Sequence, residues 1–229
     1  MNLIIFDIDG TLLQNNNISN IAFKNTLSKL FDINDYDTTW DNYNYTTDIG
    51  ILREIYFNHT GHSLTWEKIL TFEKEYFDNY MLSNSNLANE NDSLFPGTKA
   101  LFEAIKKSEK WEYGIYTGGF RLVANLKLNT IGIDPFYTPV AYAQDGLDRV
   151  DIFRVAYERA KLLYNCKSFK KIILVGDSPS DIKVASHHNI SMIQPKGAPS
   201  IEQLKSKNTK IVMIDYQNIN SFFETIESL

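Results

Sequence analysis

The stretch Asn2 to Leu13, NLIIFDIDGTLL, constrains this chain most, because an apolar run breaks there into two carboxylates. Leu3, Ile4, Ile5 and Phe6 show no alternation of polar and apolar residues, the pattern of a parallel strand covered on both faces. Asp7 then stands at the carboxyl end of that strand. Asp9 follows two residues later, Gly10 can take backbone angles closed to other residues, and Thr11 offers a hydroxyl at a turn. In open α/β sheets, ligands bind in the crevice outside the carboxyl ends of the strands. Two acids about 5 Å apart at such an edge repel by roughly 3 kcal/mol at an effective dielectric near 20, so a cation or a shared proton must offset them. The competing reading is that Asp7 and Asp9 are turn formers or helix caps. Later segments weigh against it by adding matching pieces.

A chain of 229 residues can bury one large domain, or a core with a smaller insert. A hydrophobic content of 43% with 22% charged residues is that of a soluble globular protein. No apolar run approaches the ~20 residues that span a bilayer, and no charged segment followed by an apolar one opens the chain, so a cytoplasmic protein with no membrane partner is expected. Cys166 is the only cysteine; it excludes an intrachain disulfide and reads as a small hydrophobe near a helix end. The net charge of −5 argues against nucleic acid as the main partner. It does not exclude a small anionic ligand, whose binding depends on local dipoles and metal.

After Gln14 the polar run Asn15 to Asn17 reads as a linker. Ile18, Ile21, Phe23, Leu27, Leu30 and Phe31 then recur at helical spacing, a second helix is expected over 49–58, and a third from Trp66 to Tyr80 or Met81. In the third, Trp66, Ile69, Leu70, Phe72, Tyr76, Phe77 and Tyr80 read as core rather than as ligand-stacking residues. No strand signal of comparable strength lies between 18 and 88, so this block looks like a small helical bundle inserted into an α/β domain. Ser83 to Asp92 reads as the return linker, and Pro96 and Gly97 punctuate the re-entry.

From there helices and strands alternate. A helix over 98–109 leads to a strand from Trp111 to Tyr116 ending in Thr117, Gly118 and Gly119; a helix over 120–130 and a short strand near Thr138 to Tyr142 follow. A helix from about Asp151 to Tyr164, with Asp151 in capping position, precedes the unalternated strand Lys171 to Val175. That strand empties into Gly176, Asp177, Ser178, Pro179, Ser180 and Asp181, with Ser180 or Asp181 able to start the next helix. His187 and His188 suit a helix carboxyl end, and His59 and His62 a turn. Strands at Ile190 to Ile193 and Lys210 to Ile214 and a helix at Ile219 to Leu229 close the chain. The alternation predicts a parallel, Rossmann-like sheet with right-handed crossovers. Asp7, Thr117 and Asp177 would each end a strand and could converge on one edge.

Asp7 and Asp9 in FDIDGTLL, Thr117 in YTGG, and Asp177 with Asp181 in GDSPSD form an ordered set. It resembles the haloacid dehalogenase (HAD) superfamily, and within it the phosphatases with an α-helical cap, the phosphoglycolate phosphatase and β-phosphoglucomutase-like group. The resemblance implies a core over 1–14 and 92–229 and a cap over 15–91. It implies Mg²⁺-dependent hydrolysis of the phosphate monoester of a small metabolite, by a monomer or homodimer. Asp7 would be the nucleophile that forms an aspartyl-phosphate, and Asp9 would protonate the leaving oxygen and then activate water. Asp7, the backbone carbonyl of Asp9 and Asp177 would hold Mg²⁺, with Asp181 behind them or bound through water. Thr117 and the Gly118 amide would hold phosphoryl oxygens.

The family's third motif is a lysine, and no lysine stands between Leu128 and the helix near Asp151. Arg149, in LDRVDIF, is the best replacement: it keeps the charge and adds a bidentate fork. A solvated loop residue is the other reading of Arg149, and Lys161 is a weaker substitute. In the insert, Thr47, Asp48 and Arg53 resemble a segment that selects substrate in some relatives. Thr47 or Asp48 could equally be the N-cap of the helix at Ile49, and Arg53 could pair with Glu54 or Glu75. Sugar-phosphate mutases and inorganic pyrophosphatases share the architecture and remain alternatives. Dehalogenation has no leaving alkoxide for Asp9 to protonate, and no lysine of the insert stands out for the imine that phosphonate hydrolysis uses. A catalytically silent phospho-ligand binding protein is the alternative of another class; the intact acids speak against it.

Overall fold

The computed structural model describes residues 1–14, 17–86, 94–198 and 211–229. Six parallel strands, β1 (Asn2–Phe6), β2 (Trp111–Tyr116), β3 (Val140–Ala141), β4 (Ile172–Val175), β5 (Ser191–Pro195) and β6 (Ile211–Ile214), form one sheet in the order β3-β2-β1-β4-β5-β6. The unalternated runs of β1 and β4 are explained by burial on both faces. Side chains along a strand alternate between faces, so Ile4 and Phe6 enter a core with Leu101, Phe102, Leu128 and Phe222, while Leu3 and Ile5 enter another with Ile152, Phe153, Ile182 and Val184. The helices supplying those residues are α4 (Thr98–Lys106), α5 (Arg121–Ile131) and α8 (Ile219–Ser228) on one face, and α6 (Arg149–Leu163) and α7 (Pro179–His188) on the other. The sheet, parallel throughout and covered by helices on both faces, is an α/β Rossmann-like fold, in the class the sequence predicts.

Strand order reverses at β1. β2 lies on one side of it and β4 on the other, so the chain segments after β1, β2 and β4 open onto one crevice at the switch point of the sheet.

Between β1 and α4 the chain builds a helical layer of α1 (Asn17–Phe31), α2 (Asp48–Thr60) and α3 (Trp66–Asn86). Leu13 and Leu94, on the way out and back, pair as an antiparallel bridge, and the Phe95 amide donates to the Leu12 carbonyl at 3.0 Å. Aromatic rings fill the layer: Phe23, Phe72 and Tyr76 meet edge to face or stacked, and Phe120, at the start of α5, joins them with centroids 5.8 Å from Phe72 and 5.9 Å from Tyr76. This apolar cluster therefore runs from the helical layer into the α/β body. The expected boundaries near 14/15 and 91/92 fall at residues 15–16 and 87–93, outside the described residues.

Local differences from the sequence expectations have local causes. Asn17 begins α1 rather than ending a linker, and Ser83 to Asn86 extend α3 instead of turning back. α6 starts at Arg149 because Asp148, not Asp151, caps it, accepting from the Val150 amide at 2.9 Å. α7 starts at Pro179, with Ser178 as N-cap and Asp181 completing a capping box, so neither Ser180 nor Asp181 is the cap. Trp66 and Leu70, expected in the core, are each 49% exposed. No helix among the described residues is long and apolar enough to cross a membrane.

Candidate active site

Asp7 leaves β1 with its amide bonded to the Val175 carbonyl at 2.9 Å, which points its carboxylate into the crevice. One oxygen, Oδ2, is 2.9 Å from Arg149 Nη2, while Oδ1 is buried with no hydrogen-bond partner. Burial pushes the Asp7 carboxyl up to about 7, against the pull of the Arg149 guanidinium. Gly10 then turns the chain at φ 74°, where a Cβ would collide with the Asp177 carboxylate. Asp177 Oδ1 accepts from the Thr11 hydroxyl at 3.1 Å. Burial, with Asp181 and Asp7 adding repulsion, pushes the Asp177 carboxyl up to about 8.

Asp181 is fully buried and its two oxygens are engaged by five donors. Oδ2 accepts from the Asp177 amide (3.0 Å), the Ser178 amide (2.9 Å) and the Ser178 hydroxyl (2.6 Å); Oδ1 accepts from the Tyr116 hydroxyl and from Arg149 Nη2 at 3.0 Å. Asp7, Asp177 and Asp181 each offer an oxygen within 4.8 Å of the others, a set able to hold a cation. The orphaned Asp7 Oδ1 and the raised carboxyls fit that use, because a cation would satisfy the one and offset the repulsion behind the other. Asp9 is not in the set. Its side chain instead accepts from Lys127 Nζ at 2.5 Å through Oδ1.

Arg149 is 7% exposed, with its guanidinium carbon 4.5 Å from the Tyr116 ring centroid and pairs to both Asp7 and Asp181. It is a residue of the crevice, not a solvated loop residue. Lys161 pairs with Glu158 elsewhere on α6. Thr117 is buried at the end of β2, its hydroxyl accepting from the Gly119 amide at 3.0 Å.

The helical layer closes the other side of the crevice. Thr47 is the N-cap of α2, accepting from the Gly50 amide at 3.1 Å, and its hydroxyl donates to the Leu147 carbonyl at 3.1 Å. The Asp48 amide donates to the Gly118 carbonyl at 2.8 Å, and Asp48 Oδ2 accepts from the Phe120 amide at 2.8 Å. Burial pushes the Asp48 carboxyl up to about 7. These residues surround a cavity of about 210 Å³ lined by Asp7, Asp9, Ser19, Asn20, Asp48, Tyr76, Thr117, Gly118, Lys127, Arg149 and Asp177, among others. Tyr76, read from its spacing as core alone, also faces this cavity.

Arg53 is not there. It lines a separate hollow with Tyr45, Glu54, Leu147 and Lys183, and its guanidinium carbon lies 5.8 Å from the Trp66 ring centroid instead of pairing with Glu54 or Glu75. Arg53 follows Asp48 by five residues, about 140° around a helix of 3.6 residues per turn, so the two face different ways. Lys127 was missed. Its one signal is a cation inside the buried stripe Val123, Ala124, Leu128, Ile131 of α5.

The family model for haloacid dehalogenase-like hydrolases matches residues 1–189. The chain belongs to that family. Among solved structures, a hydrolase from Pseudomonas syringae is similar at TM-score 0.71 and 19% identity, over 98% of this chain and 99% of its own. A predicted phosphoglycolate phosphatase from Haemophilus somnus is similar at TM-score 0.62 and 18% identity, over 96% and 97%. CbbY from Rhodobacter sphaeroides, solved in complex with phosphate, follows at 0.59 and 16%, over 93% of each chain. Among curated proteins there is no significant match. The likenesses to these HAD structures are likenesses of fold.

Proposed function

We propose that this hydrolase is a Mg²⁺-dependent phosphatase of small phosphorylated metabolites that works through an aspartyl-phosphate on Asp7. The observation that carries the reading is the Asp7 carboxylate itself: buried, paired with Arg149 on one oxygen, unpartnered on the other, and facing the cavity. In this reading Asp7 and Asp177, with the backbone carbonyl of Asp9, hold the ion. When bound, Mg²⁺ would neutralise the carboxylates and the charge on the transferring group. Asp181, with both oxygens engaged, holds Arg149 and the start of α7 in place instead of ligating directly.

The chain's own groups then divide the work. An Asp7 oxygen attacks phosphorus while Arg149, the Thr117 hydroxyl and the Gly118 amide hold the phosphoryl oxygens. The Asp9 carboxyl protonates the departing oxygen and afterwards accepts a proton from the water that hydrolyses the acyl phosphate. Residues 15–91 act as a cap over a core of 1–14 and 92–229, and Thr47 and Asp48, at its inner edge, help to select the leaving group. A cavity of about 210 Å³ suits a small one. A cytoplasmic monomer or homodimer completes the reading.

A screen of phosphate esters, nucleotides and pyrophosphate, scored by released phosphate with Mg²⁺ and with chelator, tests it. Metal-dependent release that Asp7→Asn abolishes is the expected result. No release from any compound in Mg²⁺ would leave a silent binding protein. Release confined to pyrophosphate would make the chain a pyrophosphatase.

A further inference from the structure

Lys127 has no part in the proposed function, yet it is one of the most buried cations among the described residues, 4% exposed on the apolar face of α5. A buried ammonium persists only where its donors are used. Here Nζ donates to Asp9 Oδ1 at 2.5 Å and to the Ser19 hydroxyl of α1 at 2.8 Å, and lies 5.6 Å from the Tyr80 ring centroid. Its position is therefore set jointly by the α/β body, by α1 and by α3.

We propose that Lys127 is a positioning residue for proton transfer: it holds one oxygen of Asp9 so that the other faces the leaving group, and Ser19 registers that hold against the helical layer. The inference rests on the proposed function and adds a residue to it. An aspartate side chain at a turn, 30% exposed as Asp9 is, otherwise rotates freely about its last bond. An ammonium on Oδ1 stops that rotation. It also fixes the site of the transferable proton, since an oxygen accepting from ammonium leaves the proton to Oδ2. In the first step an Asp7 oxygen bonds to phosphorus, the phosphorus–oxygen ester bond breaks with its electron pair going to the leaving oxygen, and the proton on Asp9 Oδ2 passes to that oxygen. Asp9 ends as a carboxylate whose Oδ1 still accepts from the Lys127 ammonium.

The test separates proton transfer from everything else by leaving group. An alkyl phosphate needs the proton; para-nitrophenyl phosphate expels a phenolate that does not. The ratio kcat/KM reports the reaction up to departure of the leaving group and is blind to later hydrolysis of the acyl phosphate. In Lys127→Gln, kcat/KM for the best alkyl ester of the screen should fall about 100-fold and that for the aryl ester less than about threefold, the former being the scale of general acid catalysis. Lys127→Arg should recover part of the loss, and Ser19→Ala, which leaves the ammonium in place, should show the same selectivity at smaller size. Equal losses on both esters, or an unchanged alkyl rate, would overturn the assignment. If the unsubstituted protein hydrolyses neither ester in Mg²⁺, the proposed function fails first and this assignment with it.

Discussion

Arg149 Nη2 sits 2.9 Å from Asp7 Oδ2, the oxygen opposite the one that lacks a partner. The pair is buried on both sides, and Asp181 shares the same nitrogen. Removing the guanidinium leaves two carboxylates facing each other with no cation between them.

Arg149→Ala should therefore lower turnover at least about 100-fold, the scale of one lost transition-state charge contact. It should also cost about 3 kcal/mol of stability, as when one partner of a buried pair is deleted. Steady-state kinetics and denaturant unfolding read the two effects. Near-normal turnover would move the role elsewhere.

Gly10→Ala places a methyl group into the Asp177 carboxylate at a backbone angle disfavoured for alanine. A loss of about 1 kcal/mol or more in unfolding free energy is expected, together with loss of metal-dependent activity. Thermal unfolding with and without Mg²⁺ checks both.

Mg²⁺ binding to the folded chain should raise Tm, by the equivalent of about 2.7 kcal/mol at a hundred times Kd. Asp177→Asn should abolish that rise while leaving the metal-free protein folded. A rise that survives the substitution would place the ion elsewhere.

Asp48 gives a pH signature independent of turnover. Its folded carboxyl is pushed up to about 7 by burial, so between the ordinary carboxylate range and about pH 7 the folded chain keeps a proton that the unfolded chain has lost. Stability from this group is present below that window and is lost as pH rises through it. Asp48→Asn, which can still accept from the Phe120 amide, should lose less stability across the window than the unsubstituted protein. Parallel stability curves for the two would refute the raised carboxyl.

How much of this was legible beforehand depended on how local each signal was. β1, β2 and β4 announce themselves because both their faces are buried, and their three terminal residues, Asp7, Thr117 and Asp177, meet because all the strands run parallel in one sheet. Arg149 was legible by its charge, but its place at the first position of α6 was not, since Asp148 and Asp151 compete as caps within three residues. Lys127 and Arg53 failed in opposite directions for one reason: a residue's identity does not say which way its helix turns it. The five donors on Asp181 come from β2, the turn after β4 and α6, a convergence no local spacing carries.

The bonds that join Thr47 and Asp48 to Leu147, Gly118 and Phe120 tie the helical layer to the segments that border the cavity. Were the helices to swing outward, they would pull on the turn after β2 that lines the cavity, so a bound anion and a shut door would reinforce each other. Departure of the product would then have to begin at that seam.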